Sequence, residues 1–479
     1  MRDEPLDRAS RTVLWGIIFI AAILRITAIQ VYHSPLVSDD KDYVAIARSF
    51  VHGDGYVLDG KPTAYRLPAY PLVLAGTYYL FGGSDLPVKI LQTCSDLLSC
   101  LLLFLIGRKL FSTKVGLAAA AILALFPIQI VYATHLMTET MFTTIFLMIV
   151  WMVIRKEENS RQLSRDCIIG VLTGTAVLFR TTALFLPLLI FLYRWKLGYK
   201  LRTNLRSVAL ISVVVALVIS PWLIRNAVEF QRLSLTSNAG VNFWMGNHPG
   251  ASGAYSFPKT NNPLAEVDDD FVRSDLGFKL GTEFIMSHPI DAALVAGKKF
   301  AHFFAADYWL MMMMEYKPDW ASAPNSATVF SQLSLSNVIA IHIPFVLILL
   351  LGTFALVCPS TKDSTTFFFL RAILLYWLAV HLVIYADARY RFPIVPIIIL
   401  AAAYAWFSIR EKTFHFSRKR FALLTILYLL FIGGWLGEII TIRSRALSSV
   451  VHPESAIALS SALVCGNASI SGAEVAETR

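Results

Sequence analysis

The sequence has few charged residues and few cysteines, and both shortages exclude classes of protein. Only 15% of its 479 residues are charged, whereas 56% are hydrophobic, which excludes a soluble chain of two or three domains. The five cysteines show no metal-binding spacing and no disulfide framework. Internal repeats and heptads are absent from the sequence. No small-residue cleavage site follows the first apolar segment, which is therefore predicted to be a retained span and not a signal peptide.

Apolar runs of about 17 to 25 residues recur along the chain, the length that crosses a bilayer as a helix. We predict an all-α integral membrane protein with about 11 transmembrane helices, within a range of 10 to 13. The predicted spans are 13–31, 88–107, 115–133, 136–154, 166–179, 183–195, 206–226, 335–357, 366–385, 391–409 and 421–440.

The net charge of +10 is concentrated in short basic clusters between the spans. This is the positive-inside pattern, so the charge indicates orientation and not a nucleic-acid partner. It predicts a cytoplasmic N-terminus. Counting 67–82 as a span would reverse every later loop, so we predict an interfacial or re-entrant helix there, on the outer face. The clusters are Arg108, Lys109 and Lys114; Arg194, Lys196, Lys200, Arg202 and Arg206; and Arg410, Lys412, Arg418, Lys419 and Arg420.

These spans divide the chain into four parts. An N-terminal transmembrane module covers 1–226 and includes a first outer loop, 32–86, in which Tyr43, Ile46, Ala47 and Phe50 recur at helical spacing. A larger, mixed outer region covers 227–334, with a helical patch around 277–305. C-terminal transmembrane helices follow at 335–441, and 442–479 is predicted to be a flexible tail.

Ionisable residues from distant parts of the chain are predicted to meet at the outer membrane surface. Such groups are costly at membrane depth, which makes them candidates for function. Asp42 is interpreted instead as a solvated loop acid, and a helix cap is the alternative role of Glu139. For Arg389 and Arg391 the alternative is snorkelling, in which a long side chain reaches from a span to the polar interface. Basic residues on the outer face, however, run against the positive-inside bias, and this favours a bound anion. The candidates are Asp39, Asp40, His135, Glu139, Arg180, Asp387, Arg389 and Arg391.

At these residues the chain resembles the polytopic glycosyltransferases of the GT-C fold, in the branch of the protein O-mannosyltransferases (glycosyltransferase family 39) and the aminoarabinose transferases of lipid A. The likeness covers about residues 10–410, in order. It lies in seven segments, of which the first is the acidic pair with its following tyrosine. The segments are Asp39–Tyr43, Arg66–Pro71, Thr138–Glu139, Leu178–Ala183, Pro221–Asn226, Gly246–Gly250 and Arg389–Pro393.

The chain departs from the pattern of that superfamily at three positions. Asp40 stands where glutamate is more usual, and Thr181 replaces a proline. Tyr65 precedes Arg66 where the aminoarabinose transferases have an acid, so the chain departs from their metal site there. If a divalent cation is used, Asp39, Asp40 and Glu139 are its expected ligands.

The resemblance implies transfer of a sugar from a polyprenyl-phosphate donor to a lipid, glycan or protein acceptor on the outer face. Asp39 is the expected general base, supported by Asp40 and Glu139. Arginines are expected to hold the donor phosphate because a guanidinium binds phosphate oxygens with two bonds at once. The phosphate-binding candidates are Arg66, Arg389 and Arg391, and the supporting candidates are Tyr43, His135, Arg180, Asn247 and Tyr390.

Short inner loops suggest a bacterial inner membrane, with undecaprenyl phosphate as the carrier and the active site facing the periplasm. Membrane lipids are further partners of such a chain. The main alternative is a transporter or flippase of a lipid-linked glycan, which would place charged or helix-breaking residues at mid-membrane and often shows a repeated half. A receptor or scaffold with a binding loop does not explain Glu139, Arg389 and Arg391 together.

Overall fold

The structure is a computed structural model that describes residues 5–32, 36, 39–155, 162–258, 261–315, 326–359, 364–414 and 416–451. The described part of the chain is mostly helical. Its helices are α1 (Arg8–Val31), α2 (Asp39–His52), α3 (Ala69–Phe81), α4 (Leu86–Leu110), α5 (Thr113–Leu125), α6 (Pro127–Tyr132), α7 (Glu139–Ile154), α8 (Gln162–Phe179), α9 (Leu186–Lys196), α10 (Leu201–Phe230), α11 (Ala239–Met245), α12 (Asp270–Ser287), α13 (Pro289–Phe303), α14 (Tyr308–Met314), α15 (Ser326–Ser331), α16 (Leu335–Val357), α17 (Ser364–Val383), α18 (Val395–Arg410) and α19 (Arg418–Val451).

Two 3-10 turns and one small hairpin complete the described secondary structure. The 3-10 turns are Thr181–Phe185, between α8 and α9, and Ala388–Ile394, between α17 and α18. The hairpin pairs β1 (Val57–Leu58) with β2 (Lys61–Pro62) in the first outer loop. The all-α membrane class predicted from the sequence is confirmed.

Seven of the described helices are long and apolar enough to cross a membrane. They lie at Arg8–Val31, Leu86–Leu110, Leu201–Phe230, Ser336–Val357, Thr365–Val383, Ala388–Arg410 and Arg418–Thr441. Two shorter apolar helices, Thr113–Leu125 and Glu139–Ile154, add to them. The chain is thus a multi-pass membrane protein, and the count of about 11 spans stays a prediction.

Several predicted spans are broken by backbone chemistry. The predicted span 115–133 divides into α5 and α6 at Phe126, because Pro127 has no N–H to continue the first helix. The predicted division within 166–195 corresponds to the end of α8 and the 3-10 turn before α9. At the C-terminal end, α19 continues to Val451, ten residues into the segment predicted to be a flexible tail; 452–479 lies outside the described residues.

The core lies around α18, which is the most buried of the long apolar helices. It packs between α5 and α16, and nearly every residue from Val395 to Ala405 is buried. In the first outer loop, α2 and α3 pack on each other, and in the region 227–334, α11 packs on α12 while α13 packs on α17 and α19. Tyr43, Ile46 and Ala47 of α2 are buried as their spacing predicts, whereas Phe50 is exposed.

Two buried ion pairs join helices inside the bundle. Arg25 of α1 donates to Asp96 of α4 at 2.7 Å and to the carbonyl of Leu123 at 3.2 Å, so it also satisfies the broken end of α5. Arg194 of α9 pairs with Asp166 of α8 at 2.6 Å. Each guanidinium thus meets a carboxylate from a different helix.

Candidate functional site

Asp39 joins two arginines from distant parts of the chain. It is the first residue of α2, and its Oδ1 lies 2.8 Å from Nη2 of Arg66, in the loop between β2 and α3. Its Oδ2 lies 2.8 Å from Nη1 of Arg389, in the 3-10 turn before α18. We call Asp39, Arg66 and Arg389 the acid–arginine bridge. Two residues of the first outer loop and one that lies more than 300 residues later therefore converge at one carboxylate.

Asp42 is part of the same site and is not the solvated loop acid that we inferred from the sequence. Its Oδ2 accepts hydrogen bonds from Nε and Nη2 of Arg66, at 2.8 and 2.7 Å. Residues three apart share a helix face, so α2 presents both Asp39 and Asp42 to one guanidinium. That guanidinium also lies 4.9 Å from the ring centre of Tyr65 and 5.5 Å from that of Tyr43. Arg66 is thus held from several sides.

A second ion pair lies deeper in the protein. Glu139, the first residue of α7, is fully buried, and its Oε1 lies 2.5 Å from Nη2 of Arg180. Nε and Nη2 of Arg180 also donate to the hydroxyl of Thr138 at 3.0 and 2.9 Å, and that hydroxyl donates to Oε2 of Glu139 at 3.2 Å. Glu139 begins its helix, but its carboxylate is bound to an arginine from the end of α8.

Tyr390 connects the two groups of charges. Its ring centre lies 5.8 Å from the guanidinium carbon of Arg180 and 5.2 Å from that of Arg389. Its hydroxyl accepts a 3.4 Å hydrogen bond from Nη2 of Arg389 and bonds to the hydroxyl of Tyr385. Three arginines and three carboxylates therefore form one connected polar region.

Charge and burial act in opposite directions on the pKa values of Asp39 and Asp42 in α2. Burial alone would raise the pKa of Asp39, but the charges of Arg389 and then Arg66 outweigh it and hold that pKa well below its ordinary value. Burial raises the pKa of Asp42 above its ordinary value in spite of Arg66. Burial likewise raises the pKa of Tyr43, with the Asp39 charge adding to the effect, so Tyr43 stays protonated.

Asp40 lies on a different face of α2 from Asp39. It is buried, and its Oδ1 accepts the backbone N–H of Lys41 at 3.0 Å. The described residues contain no group of three His, Cys, Asp or Glu side chains that could hold a metal ion. Asp39 and Glu139 each bind arginine, so the predicted set of Asp39, Asp40 and Glu139 does not fit a divalent cation in this arrangement.

Two other candidates, His135 and Arg391, are placed outside the bridge. Nδ1 of His135 lies 3.0 Å from the carbonyl of Val131, which holds the ring against its own turn. Arg391 donates to the carbonyl of Phe303 at 2.8 Å and lies 3.8 Å from the ring centre of Phe345. The structure therefore separates Arg391 from Arg389, although the sequence predicts both at the phosphate. A 3-10 helix has three residues per turn, so side chains two residues apart point in different directions.

Asn247 donates hydrogen bonds to the backbone at the end of α17, the helix that precedes Arg389. Its amide donates to the carbonyls of Phe243, at 2.7 Å, and of Val383, at 2.9 Å, the latter at the end of α17. Its Oδ1 accepts a 2.8 Å hydrogen bond from Nζ of Lys299. The backbone at Gly246 lies close to the end of α17, which requires glycine, because a Cβ at this position would lie 1.9 Å from the carbonyl oxygen of Ile384.

Lys299 is a residue of this region that the sequence reasoning missed. It is 1% exposed and also donates to the carbonyls of Leu382, at 3.0 Å, and Val383, at 3.3 Å. A signal was present: Val295, Lys299 and Phe303 follow one another at intervals of four, so the lysine lies on the buried stripe of α13. From the sequence we predict only a helical patch in this region, without a role for its lysine.

Comparison with known proteins supports the resemblance over part of the chain. Residues 61–224 match the family model described as dolichyl-phosphate-mannose-protein mannosyltransferase. The match includes Arg66, Glu139 and Arg180, and ends before Arg389. The predicted resemblance to the protein O-mannosyltransferase superfamily is confirmed there. No curated protein matches the sequence.

Solved structures with weak similarity include two kinds of membrane protein. One is the oligosaccharyltransferase AglB from Archaeoglobus fulgidus, in complex with an inhibitory peptide and a dolichol-phosphate, with 13% identity, a TM-score of 0.47, and coverage of 92% of this chain and 56% of that one. The other is ArnT from Cupriavidus metallidurans bound to undecaprenyl phosphate, with 14% identity, a TM-score of 0.42, and coverage of 81% and 76%. The chain thus spans just over half the length of the archaeal protein.

Proposed function

We propose that this protein is a membrane glycosyltransferase. It moves a sugar from a polyprenyl-phosphate donor to a hydroxyl group of an envelope acceptor, on the periplasmic face of a bacterial inner membrane. The observation that carries the proposal is the acid–arginine bridge, in which one carboxylate and two guanidinium groups from distant segments meet within hydrogen-bonding distance. This combination supplies a proton acceptor beside cations suited to a phosphate.

The transfer needs a base and a stabilised leaving group. The acceptor oxygen forms a bond to the anomeric carbon of the sugar while its proton passes to a carboxylate oxygen of Asp39. The bond from that carbon to the phosphate oxygen breaks, and its electron pair leaves with the lipid phosphate. Arg66 and Arg389 stabilise the charge that develops on the phosphate, because fixed cations need no reorganisation during the reaction.

Supporting roles follow from the contacts of the neighbouring residues. Asp42 orients Arg66 through its two hydrogen bonds. Tyr390 lies against both Arg389 and Arg180, so it couples the bridge to the buried pair Arg180–Glu139. We propose undecaprenyl phosphate, to which ArnT is bound in its solved structure, as the carrier. The apolar helices supply the surface for its tail.

A flippase for a lipid-linked glycan is the competing function. It predicts charged groups inside the membrane. Arg25–Asp96 is such a pair, whereas Arg194 lies in the last turn of α9, in a basic cluster predicted to be cytoplasmic. Each of the two arginines is bound to a carboxylate of another helix and makes a further hydrogen bond, Arg25 to the carbonyl of Leu123 and Arg194 to the hydroxyl of Ser207, as expected of groups that join helices. The polar residues at the acid–arginine bridge favour the transferase.

The test is a transfer assay with the purified full-length protein in lipid nanodiscs. Radiolabelled undecaprenyl-phosphate sugars are offered with an envelope extract to the wild type, to Asp39→Asn and to Asp54→Asn. Asp54 is an exposed acid of the same outer loop and serves as the control. We expect label to move to the extract with the wild type and the control, and a loss of at least about 100-fold with Asp39→Asn, the usual range for a general base.

Two results would contradict the proposal. Equal transfer by Asp39→Asn and the wild type would remove Asp39 as the base and leave Glu139 as the candidate. Failure of the wild type to transfer any donor, together with movement of the intact donor across the bilayer in proteoliposomes, would replace the transferase with the flippase.

A further inference from the structure

The two oxygens of Asp39 are bound by the same two arginines that the proposed function assigns to the donor phosphate, through one nitrogen atom of each. Nη2 of Arg66 and Nη1 of Arg389 each lie 2.8 Å from the carboxylate. Carboxylate and phosphate oxygens compete for a guanidinium group, because both accept its paired N–H bonds in the same geometry. A phosphate that binds these two nitrogen atoms therefore takes the place of the carboxylate.

The same contacts keep Asp39 from acting as a base. The charges of the two arginines hold its pKa well below the ordinary value of an aspartate, and a carboxylate that binds protons so weakly is a poor acceptor for the proton of an alcohol. The residue needed for deprotonation is thus also the residue that blocks the cations. Both obstacles disappear if the carboxylate moves away from the arginines.

We infer that the carboxylate of Asp39 occupies the position of the donor phosphate in the resting protein, and that binding of the phosphate displaces it and frees it to accept the proton of the acceptor. This inference rests on the proposed function and adds an order of events to it. The donor binds first, and only then is the base available. Without a donor, the bridge keeps the base from activating water.

The surroundings permit such an exchange at Asp39. Its side chain is 19% exposed, and that of Arg389 is 18% exposed, so an anion can reach the contact. Asp42 continues to hold Nε and Nη2 of Arg66 when Asp39 leaves, which keeps that guanidinium oriented. Glu139 offers no comparable exchange, because its side chain is only 1% exposed.

The first test measures binding of a ten-carbon prenyl phosphate to the full-length protein in nanodiscs by titration calorimetry. Asp39→Asn and Asp42→Asn form a matched pair, since each removes one negative charge beside Arg66, and only Asp39 also contacts Arg389. We expect Asp39→Asn to bind the probe about tenfold more tightly than the wild type, equivalent to about 1.4 kcal/mol. Asp42→Asn is expected to bind it no more tightly than the wild type.

Each other result overturns the inference. Equal strengthening by both variants would mean that only the overall charge matters, and unchanged or weaker binding by Asp39→Asn would mean that Asp39 helps to hold the phosphate. The double variant with Arg66→Gln and Arg389→Gln distinguishes failure of this inference from failure of the proposed function. If that variant still binds the probe, the phosphate site lies elsewhere and the proposed donor site is wrong as well.

A second test uses the wild type, so that it does not depend on the folding of a variant. Free carboxylates are labelled with a carbodiimide and glycine ethyl ester, with and without the prenyl phosphate, and peptide fragmentation resolves Asp39 from Asp40 and Asp42. Displacement predicts more labelling of Asp39 when the probe is present. Unchanged or reduced labelling of Asp39 by saturating probe would show that the carboxylate stays on the arginines.

Discussion

Lys299 donates a 2.8 Å hydrogen bond from Nζ to Oδ1 of Asn247 while it caps the last carbonyls of α17. The two side chains thus fix the point at which the chain leaves α17 and turns toward Arg389. A cation at the C-terminal end of a helix is favourable because the helix dipole is negative there. The position of one arginine of the bridge therefore depends on a lysine 90 residues earlier.

We predict that Lys299→Met lowers kcat/KM for transfer by about 10- to 100-fold, because displacement of a catalytic group by about 1 Å has that effect. Lys298→Met is the matched control, since Lys298 is the exposed neighbour on the same helix. The measurement is steady-state transfer by the two variants at equal protein concentration. Equal activity of Lys299→Met and the control would show that the cap does not position Arg389.

The pair Glu139–Arg180 is predicted to behave as a buried ion pair. Glu139→Gln leaves Arg180 without a counter-charge at 2.5 Å, and breaking such a pair costs about 3–5 kcal/mol. We expect a lower unfolding temperature for Glu139→Gln in detergent, and partial recovery in the double variant with Arg180→Gln, because neither charge then remains unpaired. Additive losses in the double variant would exclude an interaction of this kind.

The sequence identified most of the site because ionisable residues are few in an apolar chain. Asp39 and Arg66 stand out in the first outer loop, and Glu139, Arg180 and Arg389 stand out at the ends of predicted spans. The structure brings these residues into one region. Their pairing could not be predicted, because which arginine meets which acid depends on how α2, α7 and the two 3-10 turns pack.

The remaining differences have local physical causes. The break at Phe126 follows from Pro127, but it lies inside an apolar run that has the length of a span, so the run alone predicted one helix. Asp42 was interpreted as solvated because its partner, Arg66, is 24 residues away and the intervening hairpin was not predicted. Lys299 was overlooked because a single lysine on an apolar stripe is usually a residue whose end reaches water.

Arg389 and Arg391 should separate in function although they are two residues apart. Arg389→Gln is predicted to weaken binding of a prenyl phosphate by at least about tenfold, since charge-assisted hydrogen bonds contribute about 1.5–3 kcal/mol. Arg391→Gln should leave that affinity unchanged and lower the unfolding temperature, because Arg391 binds the carbonyl of Phe303 and stacks on Phe345. Calorimetric titration with the prenyl phosphate and thermal unfolding of both variants test these expectations. Weakened binding of the prenyl phosphate by Arg391→Gln would return Arg391 to the phosphate site.

Asp307 should make the stability of the protein depend on pH. It is buried beside Tyr132, whose hydroxyl donates to its Oδ2 at 3.2 Å. Burial, then the charge of Asp387, raise the pKa of Asp307 from 3.8 to about 6, while Arg391 and the backbone N–H of Leu310 oppose the shift.

The sign follows from proton binding. Between the ordinary pKa of 3.8 and the folded value of about 6, the folded protein holds this proton and the unfolded chain does not. The contribution of Asp307 to stability therefore falls as pH rises through that range and changes no further above it. Unfolding temperatures measured in detergent across this range should fall less steeply in Asp307→Asn, which keeps an oxygen that can accept from Tyr132 but does not ionise. An identical pH dependence in the variant and the wild type would assign the titration to another group.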